Sequence, residues 1–310
     1  MHEKPSIVSR RQILAGASAM AFTPAFAGSR PVAVSSKLDL EGALLGHMIL
    51  LALERAEIPA ENRLRIGPTP VLRTALLAGA VDLCPEYTGN AAFYFHEEGN
   101  PVWKNAAAGY ARAAKLDYER NRLVWLAPAP ASNSWVIAVP ASLVKAQRLW
   151  TMEDFARFVC GGGRVKLAAS AEFVESAAGL PAFEAAYGFR LAASQLLVLS
   201  GGETSATMKA AADGISGVNA AMAYASDGGL KALNLHVLED TLHAEPVYAP
   251  APVVREAMLL TYPRMAQALA PVFAKLDLAR LRDLNEKIAV EGEDPGIVAK
   301  EYFRASGLLL

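Results

Sequence analysis

Along the chain, short apolar runs alternate with longer stretches in which apolar positions recur every three or four residues. "PVAVSS" (31–36) predicts a strand, and "LLGHMILLALERA" (44–56) predicts an amphipathic helix. "RLRIG" (63–67) is the next strand. Thr69-Pro70 then sets an N-cap before a proline at the first helical position, and Gly79 closes that helix. "AVDLC" (80–84) reads as a third strand, residues 104–118 as a long helix, and "SWVIAVP" (134–140) as a strand ended by Pro140. The order then restarts. Thr151 and Asp154 make a capping-box start for a helix over 152–159, and Gly161-Gly162-Gly163 is a loop. "RVKLAAS" (164–170) is a strand followed by a helix starting at "AEF"; "QLLVLS" (195–200), a helix over 204–212 and "VNAAMAY" (218–224) complete the second unit. "HVLED" (236–240) begins a return to three C-terminal helices, the last opening at Asp294-Pro295 and stopping at Gly307.

This strand–loop–helix order predicts an α/β fold with parallel sheets covered by helices on both faces. The restart predicts two lobes: residues 28–134 plus 241–310, and residues 135–240, connected near 134–140 and 236–248. Open parallel sheets bind ligands beyond the carboxyl ends of their strands, so two facing units predict a cleft that works by hinge closure.

The first 27 residues change the picture of where the chain resides. Lys4, Arg10 and Arg11 form a basic start, Ile13 to Phe22 is a mildly apolar segment, and Ala25-Phe26-Ala27 offers a cleavage site. The core "SRRQIL" resembles the twin-arginine export signal; an ordinary secretory signal is the alternative, and either leads out of the cytoplasm. Cleavage would leave 27 basic against 30 acidic residues, a mild net charge of −3.

With 310 residues, 53% hydrophobic and 20% charged, the chain can bury a sizeable core and is not disordered. Its overall charge of −1 gives no basic field for nucleic acid, and no apolar run reaches the roughly 20 residues needed to span a bilayer. Cys84 and Cys160 are expected to stay unbridged, because they end elements in different units.

Signals for covalent chemistry are weak, and the chain is read as no enzyme, with no metal and no cofactor. There is no P-loop, G-x-G-x-x-G or G-x-S-x-G, and no histidine has zinc-ligand spacing to another histidine or cysteine. Asp82 and Glu86 are near in sequence, but nothing marks them as an acid–base pair. What stands out is the placing of polar and aromatic residues at strand ends, Ser36, Lys37, Thr69, Tyr87, Thr88, Asn90, Asn133, Trp135, Ser170, Glu172, Phe173, Tyr224, Ser226 and Asp227, with Tyr248 on the return connection. Aromatic faces attract cations, and a cage of them recognises quaternary ammonium groups.

The blocks "VSSKLDLEGALLGHMILLALE", "PTPVLRTALLAGAVDLCPEYTGNAAFYF", "WLAPAPASNSWVIAV", "SGVNAAMAYASDG" and "VYAPAPVVRE" resemble the osmoprotectant (glycine betaine/choline) substrate-binding proteins of ABC importers, of the YehZ type. The resemblance runs from about residue 32 to the C-terminus, and "PEYTGN" and "AYASDG" are its most specific blocks. It implies a two-lobed, type II-like periplasmic binding protein, monomeric, that hands a small quaternary-ammonium ligand to a membrane permease and its ATPase. It implies a cation cage of Tyr87, Trp135, Tyr224 and Tyr248, with Asn133 adjacent, and Lys37 and Asn90 at the ligand's carboxylate. One departure is that Ser176 stands where relatives carry an Arg after "EF", and Ala178 where they carry an Asp. The missing Arg leaves choline or another amine as an alternative ligand, and ligand sensing as an alternative role. Cys84, at a position where Tyr is common, is a smaller departure.

Overall fold

The computed structural model describes residues 30–199 and 204–308. The stretch over 1–27 that reads as an export signal lies outside them. The described residues from Pro31 onward form one compact unit.

The first half lays down β1 (Val32–Lys37), α1 (Leu40–Arg55), β2 (Ala60–Gly67), α2 (Thr69–Ala78), β3 (Leu83–Tyr87), α3 (Asn90–Phe95), α4 (Ala106–Asn121) and β4 (Leu123–Trp125). The second continues with β5 (Trp135–Pro140), α5 (Ala141–Gln147), α6 (Met152–Cys160), β6 (Leu167–Ser170), α7 (Ala171–Glu175), α8 (Leu180–Tyr187), β7 (Leu196–Leu199), α9 (Thr204–Asp213), β8 (Ala220–Tyr224), α10 (Gly229–Ala232) and β9 (Leu235–Val237). The chain then returns through β10 (Pro250–Arg255), α11 (Glu256–Thr261), α12 (Met265–Ala274), α13 (Leu278–Ala289) and α14 (Pro295–Ala305).

Two five-stranded sheets result, ordered β2-β1-β3-β10-β4 and β7-β6-β8-β5-β9. They are mixed rather than parallel: β10 runs antiparallel to β3 and β4, and β5 antiparallel to β8 and β9. β10 is the strand on which the chain returns to the first sheet, and β5 is the strand on which it enters the second. Each sheet buries both faces. In the first, Val32, Val34, Leu83 and Val254 pack under α1 and α12–α14, while Cys84, Ala251 and Val253 pack under α2, α3 and α4. The alternation along β10 follows the two-residue period of a strand. In the second, Ile137, Leu167 and Met222 face one core and Ala138, Ala168 and Ala221 the other.

Several local expectations are met. The Thr151–Asp154 capping box starts α6, and Gly79 closes α2 at φ 74°. Asp294 caps α14 ahead of Pro295. Cys84 is free and buried, and Cys160 free and exposed. Others need correction. Thr69 is not an N-cap: Pro68 holds that position without a side-chain bond, and Thr69 lies inside α2. The third strand is Leu83–Tyr87, three residues later than the expected 80–84, and it includes Pro85. This proline is tolerated because it faces Pro252 across the β3–β10 ladder. The Thr88 N–H···O=C Ala249 and Arg255 N–H···O=C Asp82 bonds put the hydrogen-bonded pairs at alternate positions, leaving Pro85 and Pro252 in a pair that exchanges no bonds. α3, β4, α5 and α11 are too short for periodicity to reveal. Phe93 is 40% exposed, whereas Phe95 is buried.

Candidate functional site

The antiparallel strands decide which ends come together. Tyr87 closes β3 and pairs with Pro250 at the start of β10, so Tyr248 arrives at the same edge. Tyr224 closes β8 and pairs with Trp135, the first residue of β5. Each sheet thus contributes two aromatic residues from one edge. The two chain crossings between the sheets lie side by side at this edge. Asn133 N–H donates to the Tyr248 carbonyl at 2.9 Å, Tyr248 N–H to Ser132 Oγ at 3.0 Å, and Ser134 Oγ to the Pro246 carbonyl at 2.7 Å.

Tyr87 is only 5% exposed and its hydroxyl donates to Glu41 Oε1 at 2.6 Å. Glu41 lies in the first turn of α1, which Asp39 caps through the Gly42 N–H. Two amides converge on the same carboxylate: Asn133 Nδ2 on Oε1 at 3.2 Å and Asn285 Nδ2 on Oε2 at 2.6 Å. Asn285, on α13, also donates to the Ser226 carbonyl at 2.9 Å, and Ser226 Oγ donates to Asn133 Oδ1 at 2.7 Å. A single polar network therefore runs from α1 and β3, through a crossing, to the exit of β8 on the other sheet. Burial raises the Glu41 carboxyl above its ordinary range, against the hydrogen bonds from Ser226, Tyr87 and Asn285. Burial likewise raises the Tyr87 hydroxyl, with the Glu41 charge adding to it.

The other wall of Tyr87 carries a cation. Lys37 Nζ lies 4.4 Å from the ring centroid and 3.1 Å from Glu86 Oε1. Glu86 is buried, which alone would raise its pKa. Lys37, the Tyr94 hydroxyl at 2.6 Å, the Tyr87 N–H at 2.8 Å and Asn90 Nδ2 at 2.7 Å together hold it below the usual carboxylate range. Tyr94 in turn lies under Arg73, which forms a bidentate buried pair with Asp117. Lys37 and Asn90 thus meet on Glu86.

On the second sheet, Trp135 stands edge-on to Phe173 at 5.6 Å. α7, which carries Phe173, starts at Ser170, whose hydroxyl accepts the Phe173 N–H at 3.1 Å. Burial raises the Tyr224 hydroxyl to about 12, with Glu172 and Asp227 adding to it. Tyr248 is raised by burial and then by Glu245, Tyr224 and Glu172, which places these groups within electrostatic reach of one another. Its ring lies against Gly89: a Cβ there would meet ring carbons at 2.7 Å, so the close approach, not the backbone angle, requires glycine. Ser176 follows α7, half-buried, its hydroxyl accepting the Ala178 N–H at 3.3 Å.

Tyr87, Asn133, Trp135, Tyr224 and Tyr248 are therefore gathered where the sheets meet, and Lys37 and Asn90 stand beside Tyr87 through Glu86. Ser176 lies at the far end of α7. Glu41, Glu86, Tyr94 and Asn285 were missed by sequence reasoning. Glu86 had a signal, being inside the "PEYTGN" block; Glu41 and Asn285 had none, since they meet Tyr87 from 46 residues upstream and from a C-terminal helix.

Two α/β sheets bridged by paired crossings, with aromatic side chains at the shared edge, are the architecture of a two-lobed solute-binding protein. The model of the substrate-binding domain of ABC-type glycine betaine transport systems matches residues 30–305, and the chain belongs to that family. It is 53% identical to the glycine betaine-binding protein YehZ of Escherichia coli over 89% of this chain and 91% of that protein. The solved structure of apo YehZ superposes with a TM-score of 0.80, covering 91% of this chain and all of the other. A glycine-betaine-binding protein of Pseudomonas aeruginosa is 26% identical over 93% of this chain and 92% of its own length.

Proposed function

We propose that this chain is the periplasmic receptor of an ABC importer that captures a quaternary-ammonium compatible solute such as glycine betaine and delivers it to the membrane permease. The observation that carries the reading is the gathering of Tyr87, Trp135, Tyr224 and Tyr248 at the crossing between the sheets. In this reading lobe 1 is residues 28–134 plus 241–310 and lobe 2 is residues 135–240. The four rings hold the ammonium head beside Asn133, while Lys37, Asn90 and the segment around Ser176 hold the other end. The protein acts as a monomer without covalent chemistry, and its "SRRQIL" segment directs export.

Lys37 already rests on Tyr87, so an ammonium head at that wall competes with the protein's own cation. Together with Ser176 in place of an Arg, this points to modest affinity. Calorimetric titration with glycine betaine, choline, carnitine and proline betaine tests the ligand class; no heat from any of them up to millimolar concentration overturns it. Tyr87→Ala is expected to weaken binding tenfold or more, on the order of 1.4 kcal/mol. Unchanged affinity removes Tyr87 from the cage.

Ser176 favours a second reading, in which an amine without a carboxylate, such as choline, is preferred. Ser176→Arg is expected to tighten glycine betaine binding relative to choline by about one decade, the worth of a hydrogen bond to a charged group. Equal affinities before and after the substitution would show that the end of α7 does not face the ligand.

A further inference from the structure

The return crossing carries a charge problem that the ligand site does not explain. Ala244 belongs to the core of the second sheet, whereas the Val247 N–H bonds to the Trp103 carbonyl beside the first, so the chain changes sides at Glu245 and Pro246. Pro246 is held to Ser134 of the other crossing. Glu245 is 4% exposed, and neither of its carboxylate oxygens has a hydrogen-bond partner among the described residues. A buried carboxylate without partners is costly, and such a group takes up a proton instead of staying charged.

The charged surroundings point the same way. Asp240 is the acidic group acting on it, and its carboxylate accepts hydrogen bonds from the Tyr187 hydroxyl on α8 and from the Ala244 and Glu245 N–H groups at 3.0 and 3.3 Å. Lys104, exposed on the turn before α4, attracts the carboxylate across the crossing; Tyr248 is the remaining titratable group that feels Glu245. Burial first, then Asp240, raises Glu245 to about 9, against Lys104.

We propose that Glu245 is a proton-linked hinge switch: its carboxyl is neutral in the arrangement of the two sheets seen here and ionises, facing Lys104 and water, when the hinge opens. The inference rests on the hinged reading of the protein given above, not on the identity of the ligand. The sign follows from linkage. A carboxyl whose pKa is raised from 4.5 to about 9 favours the arrangement seen here at low pH. That preference is lost as pH rises through this window, by at most about tenfold per pH unit.

Two measurements decide it. Small-angle scattering of the ligand-free protein is expected to show the radius of gyration increasing between pH 5 and pH 9, and Glu245→Gln, which mimics the neutral acid, is expected to stay compact throughout. Calorimetry with glycine betaine at pH 7 in buffers of different ionisation heat is expected to show proton uptake on binding, absent in Glu245→Gln. The variant is expected to bind tenfold or more tightly than the wild type at pH 8. A constant radius of gyration, or the same pH slope in both proteins, overturns the switch. Should the variant fail to fold, the wild-type scattering profile and proton uptake still decide. Silence from glycine betaine with a pH-dependent radius would leave the switch standing and fail the ligand assignment; binding without pH dependence would do the reverse.

Discussion

Gly228→Ala is expected to reduce affinity for glycine betaine at least a hundredfold, about 2.7 kcal/mol, while leaving the fold intact. Gly228 sits after β8, in the "AYASDG" block, and packs directly on α13, a helix of the first sheet's core. A Cβ there would stand 2.1 Å from the Glu286 backbone nitrogen and 2.4 Å from the Asn285 carbonyl carbon. These are helix backbone atoms and cannot rotate away. The φ of −67° suits alanine, so the variant meets no conformational strain within its own unit. The obstruction falls on the contact between the segment after β8 and α13, where Arg282 Nε donates to the Ala225 carbonyl at 2.5 Å and Lys231 pairs with Glu286 at 3.1 Å. Scattering should show an expanded particle that ligand does not contract, with a melting temperature within a few degrees of the wild type. Wild-type affinity in a folded variant would show that binding does not need this contact.

Glu41→Ala is expected to have the largest effect on stability. It leaves the Tyr87 hydroxyl without its acceptor and removes one from each of the Asn133 and Asn285 amides. A buried polar group left unsatisfied costs about 1–3 kcal/mol. A loss of roughly 3 kcal/mol would lower the melting temperature by about 6–12 °C. Affinity should fall as well, because the same carboxylate orients the ring at the cage and ties α13 to the segment carrying Ser226. Glu41→Gln, which keeps one acceptor oxygen, should lose less on both counts. Thermal unfolding monitored by circular dichroism separates the three proteins; an unperturbed melting temperature for Glu41→Ala would mean that water replaces the network at no cost.

The order of strands and helices was largely legible, because apolar runs bounded by Gly, Pro and capping residues carry local signals that need no partner. The Thr151–Asp154 box and the Asp294-Pro295 start are determined within four residues of chain. The three-residue β4 and the seven-residue α5 were not legible, since β4 holds too few alternations and α5 less than two turns of pattern. Pro85 fell outside the strand expected over 80–84 because what admits it is a distant partner. A proline inside a strand is acceptable only if the opposing residue asks for no bond, and that residue, Pro252, lies far along the chain.

The candidate site divides in the same way. Tyr87, Trp135, Tyr224 and Tyr248 could be named from the chain because each lies at a strand end within a recognisable block. By itself the sequence determined the α/β class, the family and the aromatic candidates, all of which follow from residues near one another. Only the tertiary structure decided that β5 and β10 run against their neighbours, which brings strand starts and strand ends to one edge. It alone decided that Glu41 and Asn285 meet Tyr87, that Lys37 rests on that ring, and that Glu245 is buried at the crossing without a partner. These are contacts between distant segments, and their energies depend on burial and on the direction in which side chains converge, which no local pattern encodes.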